Sequence, residues 1–198
     1  MMNGCPRWSI LTVPLLAALG CSDPVPRPPQ GNLKLSVQTP TTGSATCPVP
    51  GKTYIIGNPN APDANQPGDR LIDGEHSATI KCSVKGSGPY TFSGTVQAVS
   101  SEHAKVTLTI TNGMINADKL TGTATVGLFT TDLAGTFNSP EGGCAVKVIS
   151  GNVKPGSLWA QFSCPSITET STGKACSIGP DPIGSSITTV VFENCDGS

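Results

Sequence analysis

Hydrophobic and polar residues alternate along much of this chain with a period of two. From Tyr90, the residues Tyr90, Phe92, Gly94, Val96 and Ala98 interleave with Thr91, Ser93, Thr95 and Gln97. That is the pattern of a half-buried strand, whose successive side chains point to opposite faces. Val106, Leu108 and Ile110 against Thr107, Thr109 and Thr111 repeat it, and Leu120, Ala124, Val126 and Leu128 against Thr121, Thr123 and Thr125 give a third strand. Asn112 and Gly113 follow the second strand at once. The dipeptide tolerates positive φ at both positions, which predicts a two-residue hairpin returning through Met114 and Ile115.

Shorter apolar runs predict further strands at Leu33–Gln38, Tyr54–Ile56, Ala78–Val84, Cys144–Ile149, Leu158–Ser163 and Ile187–Phe192. No long helical period is present. Short strands separated by turn residues predict an all-β fold, an antiparallel β-sandwich or jelly roll, with a β-barrel as the alternative.

The amino end is different in kind. Arg7 precedes an apolar run from Trp8 to Leu19, 12 residues long, and Gly20 and Cys21 follow it. A run of about 7 to 15 suits the h-region of a signal peptide, whereas a membrane-spanning helix needs roughly 20 residues. The stretch Ala17, Ala18, Leu19, Gly20, Cys21 resembles the lipobox of bacterial lipoproteins. The resemblance covers residues 1–21 only. It implies a signal peptide of residues 1–20, cleavage before Cys21, diacylglyceryl transfer to the Cys21 thiol and acylation of the freed amine. Several acyl chains together anchor a protein stably where one alone does not. By the same resemblance, Ser22 after the cysteine points to the outer membrane, with a secreted or periplasmic protein as the alternative.

Pro24, Pro26, Pro28 and Pro29 crowd the segment that follows. Residues 21–31 therefore read as a lipidated cysteine and an extended tether reaching about 3.1 Å per residue. Residues 32–198 remain as one domain of ordinary size.

Charged residues make up 13% of the chain, half the usual share of about 25%, and the formal net charge is −1. The exposed faces must be covered instead by Thr, Ser, Asn and Gln. With its basic residues scattered singly, the chain offers no patch for nucleic acid, and no such partner is expected.

Cys5 departs with the leader and Cys21 takes the lipid, which leaves Cys47, Cys82, Cys144, Cys164, Cys176 and Cys195. An even number in an exported chain predicts three disulfides. No CxxC occurs, and His76 and His103 are far apart, so neither a zinc nor a redox site is indicated. Six cysteines admit many pairings. Sequential pairing is the expectation: Cys47–Cys82 closing the polar loop, and Cys144–Cys164 and Cys176–Cys195 each spanning a hairpin.

Few residues point to chemistry. In the polar loop Asn58–Glu75, Asp63, Asn65 and Gly68 fit the start of an EF-hand, but Pro67 and Gly74 stand where ligands are required. A non-helical calcium loop using Asp63, Asp69, Asp73 or Glu75 is the functional reading, and turn chemistry accounts for the same residues more simply. No metal or cofactor is assigned. Alternation puts Leu158, Ala160 and Phe162 on one face and Trp159, Gln161 and Ser163 on the other, so Trp159 is the candidate ligand contact, able to stack on a sugar or anchor a protein. The rival reading makes it a second core layer or the cover of a disulfide. Thr107, Thr109 and Thr111 with Thr121, Thr123 and Thr125 form a threonine face able to bind an ordered ligand, although threonine also simply suits a pleated surface.

No GxSxG, HExxH or glycine-rich phosphate loop is present. These features together indicate a lipid-anchored β domain that contacts protein or glycan and is not an enzyme. The alternative is a hydrolase using a pair drawn from Glu75, Glu102, Asp132 and Glu141.

Overall fold

Extended chain dominates the computed structural model, which describes residues 25–40, 45–57, 70–133, 135–179 and 188–197. The leader with Cys21, the calcium-loop residues Asp63, Asn65, Pro67, Gly68 and Asp69, and Ile187 lie outside the described residues. The strands are β1 (Gln30–Gln38), β2 (Lys52–Ile56), β3 (Leu71–Ile72), β4 (Thr79–Lys85), β5 (Tyr90–Val99), β6 (Lys105–Asn116) and β7 (Thr121–Thr130). They continue as β8 (Thr136–Asn138), β9 (Cys144–Lys154), β10 (Ser157–Thr168), β11 (Ala175–Ile178) and β12 (Thr189–Glu193). A 3-10 turn at Glu75–Ser77 is the one helical element among the described residues. The protein is therefore an all-β, antiparallel, disulfide-stapled fold.

Every ladder between these strands is antiparallel, and all twelve strands join one hydrogen-bonded network. β4, β5, β6 and β7 follow one another as neighbours. β8 and β9 then lie end to end between β7 and β10. β11 and β12 likewise lie end to end between β10 and β1, and β2 and β3 flank β1 on its other side.

The network folds over on itself, so that the β1–β12 end packs across β4 and β5. An ideal Cβ on Gly94 of β5 would lie 2.4 Å from the Phe192 ring of β12, and one on Gly31 of β1 would lie 3.5 Å from Ile80 of β4. Leu33, Leu35, Ile80, Val96, Leu108, Leu128, Leu158 and Phe192 fill the interior between, each fully buried. Burying side chains of this size contributes about 1.5 to 3 kcal/mol apiece relative to exposure.

The outer edge of β4 is covered. Val84 N–H donates to Asp196 O at 2.9 Å, Asp196 N–H to Cys82 O at 3.1 Å and Gly156 N–H to Val84 O at 2.9 Å. Ile80 N–H donates to the Asp73 carboxylate at 2.7 Å. An open edge of this kind would otherwise present unpaired backbone groups to another chain.

Three expectations are corrected. Asn112–Gly113 is not a hairpin turn, because β6 runs through it to Asn116. Both neighbours skip a residue there: β5 pairs through Phe92↔Gly113 and Gly94↔Ile110, and β7 through Thr111↔Thr125 and Met114↔Thr123. One extra residue on β6 makes a β-bulge, and Asn112 adopts φ 50 within it. The bulge reverses the parity of the strand, so that Val106, Leu108 and Ile110 face inward before it and Gly113 and Ile115 after it. Chain reversal falls instead at residues 116–120, where Asn116 Oδ1 accepts from the N–H of Asp118 at 2.9 Å and of Lys119 at 3.1 Å.

The second correction is in the disulfides. Cys144–Cys164 joins β9 to β10 as expected, but the other bonds are Cys47–Cys176 and Cys82–Cys195, not Cys47–Cys82 and Cys176–Cys195. The reason is topological. β11, which carries Cys176, and β12, which precedes Cys195, share one lane and do not pair with each other. Their cysteines reach sideways instead, Cys176 to the segment before β2 and Cys195 to β4.

The third concerns the domain's start. Gln30 and Gly31, read as tether, already pair with β12 and β3. Val25–Pro28 are exposed and carry no regular structure.

Candidate functional site

Trp159 lies on the outward face of β10, opposite Leu158, Ala160 and Phe162, all three buried. The alternation placed it correctly. The indole is nevertheless only partly exposed. Its Nε1–H donates to Glu193 Oε1 at 3.0 Å, and the Arg70 guanidinium lies over the ring at 5.1 Å from its centroid. Arg70 Nη2 donates to the same Glu193 oxygen at 2.8 Å, and Gln30 Nε2 donates to the other at 2.9 Å. Burial lowers the Arg70 guanidinium from its ordinary value, and Glu193 acts in the opposite sense.

The register Asn32↔Val191↔Trp159 sets this cluster across β1, β12 and β10. Asn32 Oδ1 and Arg70 Nε are buried there and lack hydrogen-bond partners among the described residues. Close by, Asn194 Nδ2 donates to Pro28 O at 3.3 Å and Asp73 N–H to Pro29 O at 2.9 Å. The ring, its N–H and its neighbours thus hold the start of β1 against β12.

The threonine face forms as the alternation implied. Thr111 stands opposite Thr125, Thr109 opposite Gly127 and Thr107 opposite Phe129. On the far side of β7, Gly127 pairs with Asn138 and Phe129 with Thr136. Thr125, Gly127 and Phe129 line the floor of an open groove of about 490 Å³, with Thr107, Thr109 and Thr111 on one wall and Thr136 and Asn138 on the other. An ideal Cβ on Gly127 would lie 3.0 Å from Asn138 Oδ1 and 4.0 Å from Thr109 Cβ, so the glycine lets the Asn138 amide lean over the strand, and a side chain there would have to displace it.

Two groove hydroxyls are engaged. Thr107 Oγ1 donates to Gln97 at 3.3 Å and Thr125 Oγ1 accepts from Gly142 N–H at 2.9 Å. The side chains of Thr109, Thr111, Thr136 and Asn138 make no hydrogen bond among the described residues. Thr121 and Thr123 continue the face toward β9, opposite Lys147 and Ala145. Gly127, Phe129, Thr136 and Asn138 were not singled out from the sequence. The outward placement of Gly127 and Phe129 follows from the same parity that buries Val126 and Leu128, whereas β8 is too short to show any period.

The carboxylates weighed for hydrolysis lie on separate turns: Glu75 in the 3-10 turn, Glu102 between β5 and β6, Asp132 after β7 and Glu141 between β8 and β9. Asp132 Oδ2 is paired with Lys52 Nζ at 2.6 Å and accepts from the buried Tyr54 hydroxyl at 3.0 Å. Tyr54 O also lies 3.3 Å from Thr130 Oγ1; with its own proton given to Asp132, it accepts from Thr130. Burial pushes the Tyr54 phenol up to about 12. The hydrogen bond from Lys52 pulls the Asp132 carboxyl below its ordinary value. This cluster ties β2 to the loop after β7.

His76 and His103 stand in different turns. Among the described residues no three His, Cys, Asp or Glu side chains stand together as metal ligands would. No protein-family model, curated protein or solved structure matches this chain.

Proposed function

We propose that this protein is a cell-envelope lipoprotein, anchored through Cys21 in the outer membrane, whose β domain is displayed on a proline-rich tether to bind a protein or glycan. The groove along β7 carries the reading. It is an outward face of ligand-site size, lined by Thr107, Thr109, Thr111, Thr125, Gly127, Phe129, Thr136 and Asn138, with no charged side chain among them. Four of its polar side chains make no hydrogen bond among the described residues, which suits contact with something outside the domain. The irregular, exposed Val25–Pro28 segment fits a tether, and three disulfides suit an oxidising compartment. In this reading Trp159 fastens the tether end of the domain, and the ligand contact passes to the groove.

Two substitutions test the two halves. Cys21→Ser should abolish fatty-acid labelling and release the protein from membranes; labelling that survives would refute the anchor. Gly127→Arg should leave the fold intact by circular dichroism yet reduce retention of the purified protein on isolated cell-envelope material. Unchanged retention would refute the groove as the contact surface.

A further inference from the structure

We infer that the β7 groove takes a single strand of an uncharged polysaccharide, an assignment that rests on the groove being the contact surface. Its lining is five threonines, one asparagine, one glycine and one phenylalanine. A neutral sugar chain presents hydroxyls that both donate and accept, together with ring faces made of C–H groups. The free Thr109, Thr111 and Thr136 hydroxyls donate and accept in the same way, and the Asn138 amide supplies both functions at once. Phe129, half-exposed at one end of the floor, offers an apolar ring against which a sugar face can lie.

Charge decides between ligand classes. An anionic glycan or an acidic peptide entering this groove would lose hydration with no cation in the lining to compensate, and a desolvated unpaired charge is costly. A protein partner is less favoured on composition. The centres of protein interfaces are rich in Trp, Tyr, Phe, Met and Arg, and of these the lining holds Phe129 alone.

Shape agrees with a linear chain. The floor Thr125, Gly127, Phe129 runs along one strand, and the walls on β6 and β8 stand one lane away on either side, each about 4.8 Å off in a regular sheet. Between Thr125 and Phe129, Gly127 carries no side chain of its own, and the Asn138 amide and Thr109 hydroxyl stand on either side of it.

The full-length lipoprotein, held in a detergent without a sugar headgroup, should be applied to immobilised uncharged hexose oligomers (cellohexaose, laminarihexaose, maltohexaose and mannohexaose) with oligogalacturonate as the charged counterpart. At least one neutral oligomer should retain it in preference to the charged one. Gly127→Val, which fills the floor at a residue whose backbone accepts a β-branched side chain, and Phe129→Ala should each weaken that retention roughly tenfold or more. Thr95→Val, on β5 outside the groove, should leave it unchanged, and circular dichroism of both groove variants should match that of the unsubstituted protein. Failure of every neutral oligomer to bind, or binding indifferent to both groove variants, overturns the assignment. If Gly127→Arg still reduces retention on envelope material while no neutral oligomer binds, the groove stands as a contact surface and the sugar assignment falls alone. If Gly127→Arg changes nothing there either, the groove reading falls with the sugar assignment.

Discussion

The Phe192 ring of β12 occupies the space that a side chain on Gly94 of β5 would need, with Cζ, Cε2 and Cε1 at 2.4, 2.7 and 3.0 Å from the ideal Cβ position. This contact crosses the interior and sets how closely the two ends of the network approach. Gly94→Ala should therefore overpack the core and cost roughly 1 to 3 kcal/mol, and Phe192→Ala should cost about 3 to 5 kcal/mol through the cavity it leaves. The double variant should lose less than the sum, because the new methyl partly fills that cavity. Urea denaturation of the three variants measures each term. Additive losses would show that the two residues do not share one space.

Proteolysis without reduction, followed by mass spectrometry, should recover peptides joined as Cys47–Cys176, Cys82–Cys195 and Cys144–Cys164. Sequence separations of 129 and 113 make the first two long closures, each worth about 5 kcal/mol in the chain-entropy treatment, against about 3 kcal/mol for the third. Cys82→Ala with Cys195→Ala should accordingly lower stability more than Cys144→Ala with Cys164→Ala. The opposite order would place the weight of the framework on the hairpin.

The disulfides and the bulge mark where sequence reading stops. Period-two alternation located β5, β6 and β7 and their inward faces, because burial of one face leaves a mark on every second residue, and shorter apolar runs located β1, β2, β4, β9, β10 and β12. The strands β3, β8 and β11 have two, three and four residues, too few for a period to register. Asn112–Gly113 carries the local signature of a turn, yet a left-handed residue followed by glycine serves a bulge equally well. Parity distinguishes the two: the inward set moves from even positions at Val106–Ile110 to odd positions at Gly113 and Ile115, as one inserted residue in a continuing strand requires. Disulfide partners depend on which strands share a lane, and lane order is a long-range property that no local spacing encodes. The groove was half legible, through the threonines of β6 and β7, while its second wall on β8 was not.

Trp159 is the one tryptophan left when the proposed cleavage before Cys21 removes Trp8, so the emission of the mature protein reports it alone. Iodide should quench it only partly, because Arg70 covers the ring. Arg70→Ala should raise quenching and lower stability by about 1 to 2 kcal/mol through the lost cation–π and ion-pair contacts. Unaltered quenching would mean that the guanidinium does not shield the indole in solution.

In the variant Tyr90→Phe, Tyr54 is the remaining tyrosine, and its ionisation followed in the ultraviolet should centre at about 12. The unfolded phenol ionises near 10, so the folded form holds its proton more tightly. The stability this contributes is complete below about pH 10 and is lost as pH rises toward about 12. Asp132 acts in the opposite range: its folded value lies below the unfolded one, so its contribution is present above about pH 4 and is lost on further acidification. Denaturation midpoints measured against pH should show both flanks, and Tyr54→Phe should remove the alkaline contribution. An ionisation of Tyr54 near 10 would refute its burial.

The crossed disulfides also govern the order in which the molecule matures. Synthesis runs from the amino end, so Cys47 and Cys82 are made 129 and 113 residues before their partners. In an oxidising compartment these two thiols are the first pair available, and the bond they would form is absent from the finished protein. Once formed, such a bond would have to be moved to the later cysteines by thiol–disulfide exchange, at a rate set by thiolate supply and access. Maturation thus waits for Cys176 and Cys195, and its yield should depend on a disulfide isomerase more than on the strength of the oxidant.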